Sequence, residues 1–328
     1  MMQRPGRDVS QGKSRLAWRI AAATALIVLS IVALLITSII KIRRDFLAQA
    51  HLRASYLSAA LAQDAEGALD TAAVASEFVR RRVEAEGDGA PLAELKQEIG
   101  RYLPHLINIS VIGPEGRLRA TAGDVASSAA DFSRFEFFIA NRDSTSSGFR
   151  VGKPVNGVIA DRIVSPATQR LEKNDGAFAG VVLFSMDPAQ GTLMYHRVDI
   201  GNTGSILVTG TDGTIYAGYT LPRGFDLSLI GTIAADPQTI DRFQEAPVGS
   251  YLATSAIDGI ERIYSWRKLK DFPLIAFVGL GKAEALADAN QQAILLSALG
   301  IFAVGLTARV DCHAGPGEFP PPQTGART

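Results

Sequence analysis

The hydrophobic pattern changes character several times along the chain. Residues 20–40, IAAATALIVLSIVALLITSII, are apolar, with no charge and no proline. At about 1.5 Å per residue such a stretch reaches roughly 30 Å, the thickness of a bilayer core. Its hydroxyl groups, on Thr24, Ser30, Thr37 and Ser38, can bond back to their own helix. A secretory leader is the competing reading. The run is long for one, and KIRRDF follows it instead of an A-x-A cleavage site, so an uncleaved membrane helix is predicted over 20–40. A second apolar run, AILLSALGIFAVGLTA over 293–308, lacks a polar stripe and predicts a second membrane helix. From residue 42 the period is helical. Phe46, Ala50, Leu57, Leu61, Ala65, Ala68, Ala72, Ala75, Val79 and Val83 recur mostly at steps of three and four, which predicts one helix over 42–86 continuing out of the first span. A rod on the order of 60 Å suits a dimer interface or a spine for packed domains. EGDGAP ends it, and PLAELKQEIGRYL follows as a short amphipathic helix.

From Leu106 the period drops to two. LINISVIGPEGRLRATAG reads as strand, tight turn and strand. DFSRFEFFIANRD, rich in phenylalanine, reads as a short packed helix. GFRVGKPVNG and VIADRIVSPATQRL read as strands broken at Pro154 and Pro166, and AFAGVVLFSMD as a strand central to a sheet. The order then repeats. GSILVTGTDGTIYAG is another hairpin, 226–243 a mixed helical stretch, GSYLATSAIDGIERIYSWRKL two strands, and FPLIAFVGLG a last one. The fold class is therefore α+β: a long helix followed by two similar antiparallel-sheet modules, about 100–190 and about 200–282, flanked by the two membrane helices.

Charge and chemistry mainly remove possibilities. Lys plus Arg number 33 and Asp plus Glu number 33, which gives no basic excess for a nucleic-acid partner. Cys312 is the single cysteine, and His51, His105, His196 and His313 have no metal-ligand spacing, so no disulfide, metal or cofactor is expected. The chain contains no P-loop, H-E-x-x-H, G-x-S-x-G or glycine-rich dinucleotide loop, and the expectation is a protein that is not an enzyme. Arg4, Arg7, Lys13, Arg15 and Arg19 precede the first span, and Lys41, Arg43 and Arg44 follow it. The balance favours a cytoplasmic tail at 1–19, which with two spans puts the region between them outside the cytoplasm.

A membrane helix, a long helix, two strand–helix–three-strand modules and a second membrane helix resemble the double Cache family. That family forms the PAS-like extracytoplasmic sensor regions of bacterial receptors, among them diguanylate cyclases and histidine kinases. The resemblance covers about 42–288, and DFSRFEFFIANRD, GFRVGKPVNG and NDGAFAGVVLFSMDP carry it in the membrane-distal module. It implies a two-pass protein of the bacterial inner membrane, dimeric, with a small-molecule pocket between the distal sheet and its covering helix. The matching positions are Phe137 and Phe138, the VGKP and SPATQR strands, and the end of the strand at Asp187. Members that bind amino acids carry an arginine two residues before the aromatic pair; here Phe135 stands there and Arg134 is one position off. An anionic ligand is the expectation instead, with Arg150, Lys153, Arg162 and Arg170 as its partners, since a guanidinium fork matches a carboxylate. Asp187 either accepts from a ligand amine or closes the strand-end turn with Pro188. Phe135, Phe137 and Phe138 serve the core first and a pocket wall second, and Tyr195 and His196 fall in the connector between modules.

After Val310 the sequence becomes DCHAGPGEFPPPQTGART, without apolar periodicity. The expectation is a disordered tail at 309–328, from a shifted reading frame or a cut gene that leaves a sensor without its cytoplasmic cyclase or kinase output; an ordinary disordered tail is the competing reading. The alternative is a membrane-tethered binding protein with no signalling output.

Overall fold

The structure, a computed structural model, describes residues 9–123, 130–159, 162–189, 198–233 and 235–313. The first helix, α1 (Val9–Glu86), is one uninterrupted element; no proline falls within it, and Gly87, at φ 63°, ends it inside EGDGAP. The chain divides into two compact units, residues 1–48 with 285–328, and residues 49–284.

In the first unit, the apolar stretch of α1 from Ala22 and the C-terminal helix (Ala287–His313) are long and apolar enough to cross a membrane. Ser30 and Thr37 donate to the carbonyls of Leu26 and Ala33, so these hydroxyls are satisfied within the helix. Gly300 packs against Leu35, where a Cβ would collide with the leucine side chain. The C-terminal helix continues to His313, past the point where a structureless tail is predicted, because the first residues after Ala308 still lack a helix breaker. Residues 314–328 lie outside the described residues.

The second unit holds two sheets of one design. After α2 (Leu92–Ile99) come β1 (Leu106–Ile112), β2 (Leu118–Thr121), α3 (Glu136–Arg142), β3 (Arg150–Val151), β4 (Val155–Asn156), β5 (Ile163–Glu172) and β6 (Phe178–Met186). The first sheet has the order β2-β1-β6-β5-β3, with β4 also on β5. The second module contains β7 (Ser205–Gly210), β8 (Ile215–Thr220), α4 (Pro237–Glu245), β9 (Val248–Thr254), β10 (Glu261–Lys268) and β11 (Leu274–Gly281), in the order β8-β7-β11-β10-β9. The two orders match strand for strand, and every pairing is antiparallel. The internal repeat read from the pattern is thus a repeat of topology.

Pro166 does not break β5. Its carbonyl accepts from Gly152 N–H at 2.7 Å, so the side on which its own N–H would lie faces the gap between the short strands β3 and β4. No ladder bond to β6 is lost, which is the edge-type position a proline tolerates. The helical stretch predicted over 226–243 is also shorter: Leu227–Leu229 is one 3-10 turn, Gly231 takes φ 83°, and α4 starts only at Pro237. Asp236 caps that helix, accepting from Thr239 N–H at 2.8 Å.

One face of each sheet packs on α1. Ala54, Leu61, Ala62 and Ala65 join the core of the second module, and Ala72, Val79 and Val83 that of the first. Alanines at helical spacing let the strands approach the helix closely. Buried polar contacts mark the register, among them Ser58 with Ser265 of β10, at 3.2 Å, and Ser76 donating to Gln169 of β5. The other face of each sheet is covered by the module's own short helix, α3 or α4.

Candidate ligand site

The space between the first sheet and α3 is filled by aromatic rings. Phe132, Phe135 and Phe137 lie with centroids 5.5 to 6.2 Å apart, and Phe138 meets Phe178 edge-on at 5.7 Å. Phe138 is fully buried, and the cavity left beside Phe132, Phe135 and Phe137 is about 20 Å³, room for little more than one water molecule.

Arg170 is committed inside the module. Nη1 donates to the carbonyls of Asn141 and Arg142 at 2.8 and 3.1 Å, Nε donates to Glu172 at 3.1 Å, and the guanidinium carbon lies 4.8 Å from the Phe178 ring centre. A buried arginine here satisfies the last carbonyls of α3 and balances the helix dipole. Arg162 and Asp187 pair with each other at 3.3 Å, while Asp187 Oδ1 accepts from Ala189 N–H at 2.9 Å. Asp187 therefore closes the turn after β6, with its N–H bonded to the His105 carbonyl.

Three of the remaining predicted residues converge. Phe137, Arg150 and Lys153 line a groove of about 390 Å³, whose opposite wall comes from the second module: the Gly210–Asp212 turn, Tyr216 and Asp271–Pro273. Arg150 is half-buried; its Nη2 donates to Ser144 Oγ at 2.6 Å, and its buried Nε has no hydrogen-bond partner among the described residues. Lys153 reaches across to Asp212 at 3.0 Å and lies 4.0 Å from Glu136. The hydrogen bond to Asp212 raises the lysine's pKa. Burial pushes Asp212 upward, but the bonds from Lys153 and Thr214 outweigh it and hold the carboxyl below its ordinary value. Tyr216 is pushed up to about 12, first by burial and then by Asp212, and stays a neutral phenol. Two cations and three carboxylates thus face one space, with Asp271 the third acid. The charge lining the groove is therefore mixed in sign.

Tyr216, Asp212 and Asp271 escaped the sequence reading because they belong to the other module. Their one sequence signal was the repeated hairpin turn, GTDG, which places Asp212 at a module edge. Tyr195 and His196 lie outside the described residues. Among the described residues no cluster of His, Cys, Asp and Glu is arranged to hold a metal ion.

Two PAS-like antiparallel sheets backed by one long helix make up the fold. Residues 189–279 match the family model dCache_1_like, described as a histidine kinase sensor domain. Among solved structures, the extracellular domain of rpHK1S-Z16, described as a histidine kinase, is similar at 23% identity with a TM-score of 0.66, covering 73% of this chain and 98% of that one. The ligand-binding domain of the Pseudomonas fluorescens chemoreceptor CtaA, solved with L-alanine, is similar at 16% identity and a TM-score of 0.54, covering 71% and 97%. The Campylobacter jejuni chemoreceptor Tlp3 sensory domain is similar at 11% identity and a TM-score of 0.53, covering 75% and 98%. No curated protein matches the chain.

Proposed function

We propose that this chain is the membrane-bound extracytoplasmic input of a bacterial receptor, and that it binds a small dipolar molecule in the groove between its modules. The observation that carries this reading is the convergence of Arg150 and Lys153 with Asp212 and Asp271 on the 390 Å³ groove. The planar guanidinium of Arg150 is the group suited to a ligand carboxylate. Lys153 and Phe137 complete the first module's side, and Asp212 or Asp271 receives an ammonium or other donor from the ligand's far end. Arg170 and Phe138 pack inside the first module, and the Arg162–Asp187 pair stands at the end of β6. CtaA, solved with L-alanine, binds a molecule of this dipolar kind, which supports the class but not the compound.

Both ends of the 49–284 unit lead into apolar helices, which supports a two-pass arrangement with the modules outside the cytoplasm. Helix α1 also exposes Leu52, Tyr56, Val74 and Phe78 on one stripe, which supports a homodimer along it. Ligand closure of the groove would change how the modules bear on α1, and α1 runs on into the first span.

The test is calorimetry on the full chain in nanodiscs against neutral amino acids, dicarboxylates and diamines. Saturable binding of a dipolar compound, lost in Arg150→Met, is expected; binding that survives Arg150→Met would place the ligand elsewhere. Light scattering of Tyr56→Glu/Phe78→Glu against wild type checks the dimer, with a halved mass expected.

A further inference from the structure

The groove between the modules has a main-chain wall as well as a side-chain one. Phe149, Arg150, Val151, Gly152 and Lys153 line it in unbroken succession. They run through β3, the last strand of the first sheet, which is bonded to β5 on one side and, among the described residues, to no strand on the other. The register decides which backbone groups are left over. Gly152 N–H donates to the Pro166 carbonyl at 2.7 Å, and Arg150 stands opposite Thr168, so Arg150 and Gly152 turn their peptide groups toward β5. In an antiparallel pair the residue between two such positions turns its own groups away. Val151 therefore presents its N–H and its carbonyl on the open edge, and neither has a backbone partner among the described residues. An open edge of this kind is a template for another extended chain.

We propose that the groove takes a short peptide of about three residues, laid in extended form against the free edge of β3. The proposal rests on the groove being the ligand site, and it narrows the ligand class. An amide both donates and accepts, which matches the N–H and carbonyl of Val151; a free amino acid has no amide to return. Size agrees. An apolar cavity of about 150 Å³ takes up benzene, so about 390 Å³ holds roughly two to three times as many atoms, on the order of a tripeptide and well beyond a single amino acid. Three extended residues run about 10 Å, which keeps them beside the wall from Phe149 to Lys153. Charge meets both ends. The guanidinium of Arg150 suits the terminal carboxylate, and Asp212 and Asp271 on the facing wall suit the terminal ammonium. Phe149 and Phe272 meet edge-on across the modules at 6.1 Å and both line the groove, so the peptide's side chains find apolar surface beside the contact that joins the two modules.

The experiment is calorimetry on the full chain in nanodiscs with L-alanine, dialanine, trialanine, and trialanine N-methylated at its central residue. Alanine side chains fit any wall, so the series reports main-chain contacts. Trialanine should bind at least about tenfold more tightly than alanine, with dialanine between them. N-methylation removes the donor to the Val151 carbonyl and should weaken trialanine about fivefold, the worth of one neutral hydrogen bond. Val151→Pro removes the outward N–H and no ladder bond to β5, a position where an edge strand tolerates proline, and should weaken trialanine by a similar factor. If that variant fails to fold, the methylated peptide still decides. Equal affinity for alanine and trialanine overturns the peptide and leaves the groove as an amino-acid site. If no member of the series binds, the peptide falls, and the groove falls with it only when the panel of amino acids, dicarboxylates and diamines is silent too. Trialanine indifferent to N-methylation overturns the pairing with β3.

Discussion

The two modules share a strand order and a backing helix, yet they use the space beneath their short helices differently. In the first, phenylalanines occupy it almost completely, leaving about 20 Å³. In the second, about 60 Å³ remains beside Thr209, Thr239 and Tyr251, and the Thr209 hydroxyl is buried without a partner among the described residues. The arginines differ in the same sense. Arg170 on β5 spends its donors on backbone carbonyls at the end of α3. Arg262 on β10 has no exposed surface and pairs with Asp258 at 2.6 Å, while also donating to the carbonyls of Thr203 and Leu221. Topology therefore fixes where a pocket could be, and side-chain volume decides whether there is one. With the first module's interior filled by rings, the open space with convergent charge is the groove between modules.

The largest effect should come from emptying that aromatic interior. Phe138→Ala is expected to cost about 4 kcal/mol, as removal of a large buried ring does when the site cannot collapse. Denaturant unfolding of the full chain measures it. A loss under about 1 kcal/mol would mean the first module has more room than its packing implies, and the contrast between the modules would fail.

Next in size is the buried ion pair. Arg262→Met should cost about 3 kcal/mol, because Asp258 is left charged and nearly buried. Arg170→Met should cost less, about 1–2 kcal/mol, since it strands carbonyls and a half-exposed glutamate instead of a buried charge. Adding Asp258→Leu to Arg262→Met should recover part of the loss. Equal costs for the two arginines would erase the distinction drawn between them.

Legibility in the sequence followed the range of the interactions. The long helix, both hairpins and the repeat of topology rest on local periodicity, and each was readable. Pro166 was misjudged because its tolerance depends on a gap between β3 and β4, which no local pattern reveals. For the site, residue type identified the cations but not their partners. Arg150, Lys153 and Arg170 looked alike on their strands. Only the fold turns Arg170 inward to α3, points Lys153 at Asp212 some sixty residues away, and sets Arg150 on the groove wall. The acidic half of the groove comes from the second module, so composition near the first could suggest only an anion.

A pH effect should arise at His105. Burial lowers the pKa of His105 from its ordinary 6.5, and the attraction of Asp187 offsets part of that. The unfolded chain then takes up the proton first as pH falls. This contribution to stability is complete above pH 6.5 and is lost as pH drops below it. Wild type should therefore unfold more easily at pH 5.5 than at 7.5, and His105→Phe should show a smaller difference. The Glu77 carboxyl, held at about 2 chiefly by its bond from Arg80, contributes its loss only between pH 4.5 and 2, outside that window.

The smallest stability effect belongs to the contact that joins the two modules across the groove. Lys153 and Asp212 are each close to half exposed, and such a pair is worth about 0–1 kcal/mol after screening by solvent and salt. Lys153→Ala, Asp212→Ala and the double variant should all unfold close to wild type. Their value lies in binding, not in stability. A dipolar ligand that enters the groove competes with this pair for both partners, so each single variant exposes one unpaired charge to it. Lys153→Ala should leave Asp212 free and favour the ligand's cationic end, and Asp212→Ala should favour its carboxylate. A double-mutant cycle on the affinity of whichever compound binds in the calorimetric panel should then give a coupling energy larger than the cycle on stability. If the two cycles agree, the pair is a passive surface contact, and the modules are held apart or together by α1 alone.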